Sequence, residues 1–404
     1  MNSRRSITVA AVALAIIGLT CNDWFPTGLL ADVGSPGNPD RRDALRALSL
    51  IALCAAGGMF VWRGVIAENT GGIAIMLAST AFSLALFVAV DITLSAKAVR
   101  IARPAGEIAD VHKPDSLLGW RPRPGTVGTH RESDSFDVAY VIDDAGYKAV
   151  PNAGEAGARL FIFGDSYTFG HGVANADTYA NVIARDHVNV GVHVFNVGVL
   201  GYGVEQMYGR FLEIEATLKS GDIVVFAPTS QDIKRNLKDF VFPSKLIFGK
   251  RLDFGDRYPV YDNGQLSSVE LDTPRRRFMA SLFNGRWTKS LFRFIHSAVA
   301  SPDTTREARE IVDIVSAKSM ARGADFCLMF LPQTKERLRG EFEEDISLFD
   351  HIDVTGYFPS DSEALAAIRF STDPHWNTAG HAIAARAVFG ALRTRGLLRS
   401  DHLK

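Results

Sequence analysis

The sequence predicts an α/β fold with three layers, α/β/α, around a mostly five-stranded parallel sheet. Short, continuous apolar runs are typical of strands that are buried on both faces of a sheet. Helical patterns alternate with these runs, as expected where each connection crosses a parallel sheet. The predicted strands are Leu160–Phe163, Val192–Val197, Ile223–Ala227, Phe326–Leu331 and Ile352–Val354. The predicted helices lie near Thr178–Arg185, Val204–Leu218, Thr305–Ala321, Ser362–Ile368 and Thr378–Arg395.

The composition is that of a chain that can bury a full core. Its 404 residues are 47% hydrophobic, and its formal net charge is -1. Because a nearly neutral chain has no basic excess for phosphate contacts, nucleic acid is not expected as a partner. Its three cysteines imply no disulfide framework. Protein partners are not identified by any pattern in the chain.

Three apolar segments before the predicted sheet indicate a membrane region over residues 1–96. Ile7–Thr20 is either a first transmembrane helix or a signal sequence, and we favour the helix because no small-residue cleavage pattern follows it. Ala47–Trp62 and Ile73–Val90 predict a transmembrane hairpin, since neither run contains a charged residue and the second is long enough to span. The lipid bilayer is therefore an expected partner.

A basic, proline-containing linker is predicted over residues 97–114, and the remaining domain covers residues 115–404. Its first part, 115–158, is a lead-in subdomain with a strand at Phe136–Ile142, for which we expect no chemical role.

Residues 236–300 form an insertion that is longer than a crossover between strands needs. Within it, Arg257–Leu271 predicts a hairpin around Asp262-Asn263-Gly264. Pro274–Val299 predicts a basic, aromatic helix, which lies on a membrane surface, caps the site or packs on its own domain.

The tripeptide Gly164-Asp165-Ser166 follows the first predicted strand. A residue just past the carboxyl end of such a strand stands where open α/β sheets bind their ligands, so Ser166 is a candidate nucleophile. Aspartate and serine are also common in turns and helix caps, so the tripeptide alone is more typical of a plain strand-to-helix turn.

A late loop supplies the partners that a serine nucleophile needs. A serine hydroxyl requires a base, and a histidine base requires a carboxylate that fixes its tautomer. Asp373 and His375 fit these roles, because alternate side chains of an extended loop leave on the same side. The helix that follows should be capped by Asn377 or Thr378.

Two other histidines lie in the same blocks of sequence as the predicted triad. His171 is close to Ser166 in sequence and is the alternative base, but it lacks a carboxylate at comparable spacing. His381 falls on the last helix, where a structural role is expected. No cysteine and histidine spacing matches a zinc site, so neither a metal nor a cofactor is predicted.

Four ordered blocks resemble the SGNH/GDSL hydrolase family. They are GDSYTFGHGV from Gly164, NVGVLGYGVEQ from Asn196, DIVVFAPTSQDIKRN from Asp222 and DPHWNTAGH from Asp373. The resemblance covers about Asp115–Ala391 and implies a flavodoxin-like sheet and a Ser-His-Asp acyl-enzyme mechanism. The Asp-x-His spacing is similar to the membrane-anchored branch that acts on cell-envelope polysaccharides.

The resemblance also implies roles for individual residues. Ser166, His375 and Asp373 match the family's triad, and the amides of Ser166 and Gly201 match two donors of its oxyanion hole. Gln231 stands where the family usually has asparagine, so the third donor departs from the pattern.

Three polar residues are expected to support the site rather than react. Asp165 should order the loop around Ser166, and Asn196 and Asp232 should donate or accept hydrogen bonds behind it.

The sequence therefore predicts a multi-pass inner-membrane serine esterase that acts on O-acyl esters of a small molecule or a carbohydrate. Its catalytic domain is expected in the periplasm, as in the branch it resembles, although basic residues flanking the apolar segments oppose that side. An O-acyltransferase with the same triad and a non-catalytic scaffold that binds a polysaccharide or a partner are the alternatives.

Overall fold

The structure is a computed structural model that describes residues 111–132, 135–152, 157–187, 191–234, 257–262, 264–270, 303–333, 346–371 and 373–398. The predicted membrane segments, residues 97–110 of the linker and the basic helix of the insertion lie outside these residues. The end of the predicted linker is wrong, because residues 112–114 belong to a strand that pairs with Gly119–Pro122. No helix in the described ranges combines the length and the apolar character needed to cross a membrane.

The strands in the described residues are β1 (His112–Asp115), β2 (Gly119–Pro122), β3 (Val127–Glu132), β4 (Phe136–Val141), β5 (Ala158–Phe163), β6 (Val192–Asn196), β7 (Ile223–Phe226), β8 (Arg257–Asp262), β9 (Gln265–Glu270) and β10 (Asp325–Leu328). The helices are α1 (Ser166–Phe169), α2 (Tyr179–Asp186), α3 (Val204–Ile214), α4 (Ser230–Lys234), α5 (Asp303–Ala321), α6 (Ser362–Ala367) and α7 (Thr378–Thr394). Each of the five predicted helices is confirmed, with its ends shifted by a few residues.

The central sheet is parallel and contains four described strands in the order β6-β5-β7-β10. The first four predicted strands are confirmed. The fifth, Ile352–Val354, is wrong. Ile352 donates one backbone hydrogen bond to Leu328 of β10 (2.8 Å). The Asp353 carboxylate then accepts from the amide and the hydroxyl of Thr355, which turns the chain into a short 3-10 helix instead of extending the ladder.

Side chains on opposite faces of the sheet enter two separate cores. Leu160 and Ile162 of β5 pack into a core that includes residues of α2 and α7. Phe161 and Phe163 alternate with them and pack into a second core with residues of α3 and α5. This period-2 alternation confirms the predicted three-layer arrangement.

The described residues also contain three antiparallel hairpins. β1 pairs with β2, β3 pairs with β4, and β8 pairs with β9. The β8–β9 pairing confirms the hairpin predicted in the insertion, and Gly264 takes the left-handed conformation that its turn requires (φ 83°). The β4 strand confirms the alternating stretch predicted in the lead-in subdomain.

Candidate active site

Ser166 opens the single-turn helix α1, three residues past the end of β5. Gly164 makes this corner possible. A Cβ at Gly164 would lie 1.9 Å from the Thr168 hydroxyl and 2.9 Å from the Ala227 carbonyl oxygen, so a larger residue would displace the turn. The serine is thereby held at the carboxyl edge of the sheet, as the sequence predicted.

A continuous hydrogen-bonded chain connects the three residues of the predicted triad. Nε2 of His375 lies 2.7 Å from Oγ of Ser166. Nδ1 of the same ring lies 2.5 Å from Oδ1 of Asp373. That oxygen also accepts the backbone N–H of His375 (2.8 Å), so one carboxylate oxygen fixes both the ring and its backbone. The structure thus brings Ser166, His375 and Asp373 together with the spacing that general-base catalysis requires.

The loop that carries His375 is anchored on both sides. Trp376 is fully buried and stacks on Phe358, with ring centroids 5.1 Å apart. The His375 carbonyl accepts the N–H of Phe370 (3.1 Å). Asn377 caps α7 by accepting two of its first N–H groups, which identifies the cap between the two predicted candidates. These contacts set the direction of the imidazole before a substrate arrives.

The Asp373 carboxylate remains ionised at neutral pH. Burial raises its pKa, but the hydrogen bonds from His375 and the charges on His375 and His171 together outweigh burial and hold the pKa well below its usual range. The carboxylate can therefore orient the imidazole of His375 and stabilise the imidazolium ion that forms when Ser166 loses its proton.

His171 lies beside the triad but does not replace His375 as the base. Its ring faces the ring of His375, with centroids 4.3 Å apart, and its Nε2 lies 3.7 Å from Oδ2 of Asp373. Burial, followed by the charge of His375, lowers the pKa of His171 well below its usual range. The backbone N–H of His171 donates to the Ser166 carbonyl oxygen (2.9 Å), but no hydrogen bond joins the His171 ring to the Ser166 hydroxyl in the described residues.

The lead-in subdomain, for which no chemical role is expected, packs against the segment that carries His171 beside the site. The Tyr140 hydroxyl accepts the N–H of Gly172 (2.7 Å) and bonds Nδ1 of His130 (2.9 Å). The ring of His171 lies 4.9 Å from that of His130 and 5.3 Å from that of Phe136. Sequence reasoning missed these residues, because the contacts join segments that carry no common motif.

Lys148 anchors the loop after α1, which runs from Gly170 to Val173. Its side chain is fully buried, and its ammonium nitrogen donates to the carbonyl oxygens of Gly170 (3.0 Å) and Val173 (3.1 Å). The nitrogen also lies 4.2 Å from the centre of the Tyr140 ring and 4.6 Å from that of Phe169. Burial lowers the pKa of Lys148 well below its usual range.

The predicted oxyanion donors stand in three places along the same edge of the sheet. The backbone amides of Ser166 and Gly201 have no hydrogen-bond acceptor among the described residues. This is expected of donors that serve a bound ligand. Gly201 follows β6 in a left-handed conformation (φ 74°) and is exposed. Gln231 is the second residue of α4, is half-buried, and its side chain makes no hydrogen bond to a described residue.

The three predicted supporting residues are all buried. Asp165 caps α1 by accepting the N–H of Tyr167 (2.9 Å), and its other oxygen lies 3.3 Å from Oγ of Ser166. Asn196 donates to the Thr168 carbonyl (2.8 Å), which ties α1 to the end of β6. Asp232 accepts the N–H of Thr229 (2.7 Å) at the start of α4.

His381 is a buried structural residue of α7. Its Nδ1 accepts the N–H of Tyr179 (3.3 Å), and its ring packs edge-on against Trp376. Burial lowers the pKa of His381 to about 3. An unfolded histidine has a pKa of about 6.5, so between these values the unfolded chain binds a proton that the folded chain does not.

Acid should therefore destabilise the protein through His381. The stability is complete above about pH 6.5 and falls by roughly 1.4 kcal/mol per pH unit as the pH drops toward 3. His381→Asn keeps an acceptor for the Tyr179 N–H but does not titrate, so its free energy of unfolding should fall less steeply between pH 6 and pH 4. Parallel curves for the variant and the natural protein in urea titrations would contradict this.

Comparisons with known proteins found solved structures of low similarity. No protein-family model and no curated protein matches the chain. Among solved structures, a G-D-S-L family lipolytic protein of Desulfitobacterium hafniense is similar at 13% identity and a TM-score of 0.33, over 58% of this chain and 99% of its own. TesA is similar at 12% identity and a TM-score of 0.33, over 58% of this chain and 98% of its own. The YxiM protein of Bacillus subtilis is similar at 14% identity and a TM-score of 0.35, over 61% of this chain and 58% of its own. Identities and scores as low as these carry no conclusion about this chain.

Proposed function

We propose that this chain is a serine hydrolase that cleaves ester bonds through an acyl-enzyme on Ser166. The observation that carries the proposal is the pair of hydrogen bonds from Ser166 Oγ to His375 Nε2 (2.7 Å) and from His375 Nδ1 to Asp373 Oδ1 (2.5 Å). This arrangement has a nucleophile, a base within reach of it and a carboxylate that orients the base.

The first step forms the acyl-enzyme. Ser166 Oγ attacks the carbonyl carbon of the ester while Nε2 of His375 takes the hydroxyl proton. Negative charge develops on the carbonyl oxygen, where the free amides of Ser166 and Gly201 would donate hydrogen bonds. When the tetrahedral intermediate collapses, His375 returns the proton to the departing alcohol and the acyl group remains on Ser166.

The second step removes the acyl group from Ser166. His375 takes a proton from the incoming acceptor, which attacks the acyl carbon, and then returns that proton to Oγ of Ser166. With water as the acceptor the product is a carboxylic acid, and with a sugar hydroxyl it is a new ester. Hydrolysis and transfer therefore share every residue of the site and are separated by analysis of the products.

We further propose an acylated envelope carbohydrate as the substrate and a membrane-anchored enzyme whose catalytic domain lies in the periplasm. The support for this is the Asp-x-His spacing of Asp373 and His375 together with the three apolar segments before residue 97. A substrate fixed in the envelope is reached most readily by an enzyme that is held at the membrane.

A fluorophosphonate probe tests the hydrolase proposal directly. Such probes phosphonylate a serine only when a base and an oxyanion site activate it, so full-length protein in detergent should be labelled on Ser166, as located by mass spectrometry. Heat-denatured protein and the Ser166→Ala variant are the matched controls and should stay unlabelled. If folded protein is not labelled while a known serine esterase in the same tube is, the chain is a binding scaffold rather than an enzyme.

A further inference from the structure

One atom beside the triad is buried without a partner. Nε2 of His171 is shielded from solvent and makes no hydrogen bond within the described residues. The polar atom that faces it is Oδ2 of Asp373, the carboxylate oxygen that His375 does not use, at 3.7 Å. This distance is too long for a hydrogen bond, for which about 2.7–3.2 Å is typical.

The same distance suits two ligands of one metal ion. Zinc binds histidine nitrogen and carboxylate oxygen at about 2.0–2.2 Å, so two such atoms on one ion stand roughly 3.4–3.8 Å apart at tetrahedral or slightly wider angles. His375 completes a group of three, since one ligand atom from each of His171, Asp373 and His375 lies within 4.8 Å of the others.

The donor set and its exposure also fit a cation. Two imidazoles and one carboxylate form a ligand set that zinc uses with water in the fourth position. The side chains of His171 and Asp373 are each 17% exposed and that of His375 is 20% exposed, so the group lies at the solvent-accessible surface, although Nε2 of His171 itself is shielded. No metal-binding spacing is visible along the chain, because His171 follows β5 and the other two residues precede α7.

We propose that His171, Asp373 and His375 form a binding site for a zinc ion that switches off the esterase. The inference rests on the proposed function, because zinc would occupy the two residues on which Ser166 depends. The ion is an inhibitor rather than a resident cofactor, so the reaction itself needs no metal.

Binding would replace a proton by the ion. Zinc takes the lone pair at Nδ1 of His375, and the proton held there passes through solvent to Nε2, so the ring stays a neutral imidazole. The Asp373 carboxylate turns out of its 2.5 Å contact with Nδ1 and binds the ion through one oxygen. His375 is then held by the metal. Its Nε2 now carries the proton and can no longer accept that of Ser166, so the serine loses its base.

Zinc binding is measured first, apart from catalysis. In isothermal titration calorimetry, full-length Ser166→Ala protein in detergent should bind one zinc ion. Adding His171→Phe, which keeps a ring against His375 but removes a ligand, should weaken binding at least about 10-fold. His193→Phe removes a histidine of β6 outside the group and is the matched control, which should bind as tightly as the parent. A circular dichroism melt shows whether each variant is folded, and His171→Gln serves in its place if the phenylalanine variant is not.

Zinc inhibition is measured next, on the active protein. Zinc should lower the turnover of an activated ester, a chelator should restore it, and His171→Phe should raise the zinc concentration for half-inhibition by the same factor as in calorimetry. Zinc that does not bind, binding that ignores His171, or turnover that rises with zinc would each overturn the proposal. Ester turnover without zinc binding refutes the metal site alone, whereas zinc binding without ester turnover refutes the esterase and leaves the metal site standing.

Discussion

Ser166→Ala and His375→Ala should each lower the kcat for an activated ester by at least about 10³-fold, and the double variant should be no slower than either. The hydrogen bond between Ser166 Oγ and His375 Nε2 (2.7 Å) makes the two residues one functional unit. Removing either side chain should therefore abolish nearly all of the catalytic rate. Stopped-assay kinetics on purified full-length protein measure the three rates.

The control for this series is Ser362→Ala, which makes the same chemical change at an exposed serine in the first turn of α6. It should retain the full rate. Losses that multiply in the double variant would mean that His375 is not the base for Ser166. Full activity in Ser166→Ala would remove the serine from the mechanism altogether.

Gln231→Ala should lower kcat by about 10²–10³-fold with little change in KM, because an oxyanion donor acts mainly in the transition state. The Gln231 side chain is half-buried at the start of α4 and makes no hydrogen bond to a described residue, so none of these residues competes for its amide. Its side chain is one methylene longer than that of asparagine, so the two amides would reach different positions relative to the oxyanion. Gln231→Asn should therefore be neutral or slower than the natural protein.

Gln265→Ala is the matched control, since Gln265 is exposed at the start of β9. Both Gln231 variants and this control are measured on one activated ester. A silent alanine variant would leave the two backbone amides to hold the charge alone. A large gain in Gln231→Asn would mean that the natural residue leaves the oxyanion hole incomplete.

The core of the site could be predicted because each of its two parts carries a local sequence signal. Asp373 and His375 stand two residues apart in one loop, and Ser166 directly follows a strand whose apolar run is unmistakable. Strand ends of a parallel sheet meet at one edge, which places Ser166 there. Its pairing with Asp373 and His375 was predicted from the base that a serine needs and from the resemblance to the SGNH/GDSL hydrolases.

What could not be predicted depends on contacts between distant segments. Ile352–Val354 has the composition of a strand, but the side chain of Asp353 binds Thr355 and turns the chain after one ladder bond. His171 offered no sequence sign of its neighbours, because its position beside Asp373 and His130 arises only when three separate segments pack together.

The chemical reactivity of the buried Lys148 ammonium group reports how often the loop that covers it opens. Both carbonyl oxygens that hold it belong to the loop after α1, so amine-reactive reagents reach this nitrogen only when that loop opens. Exposed lysines react continuously, whereas Lys148 reacts at a rate set by the open fraction. The speed of its modification, compared with that of a surface lysine, therefore reports how often the wall of the active site comes apart without any label having been introduced.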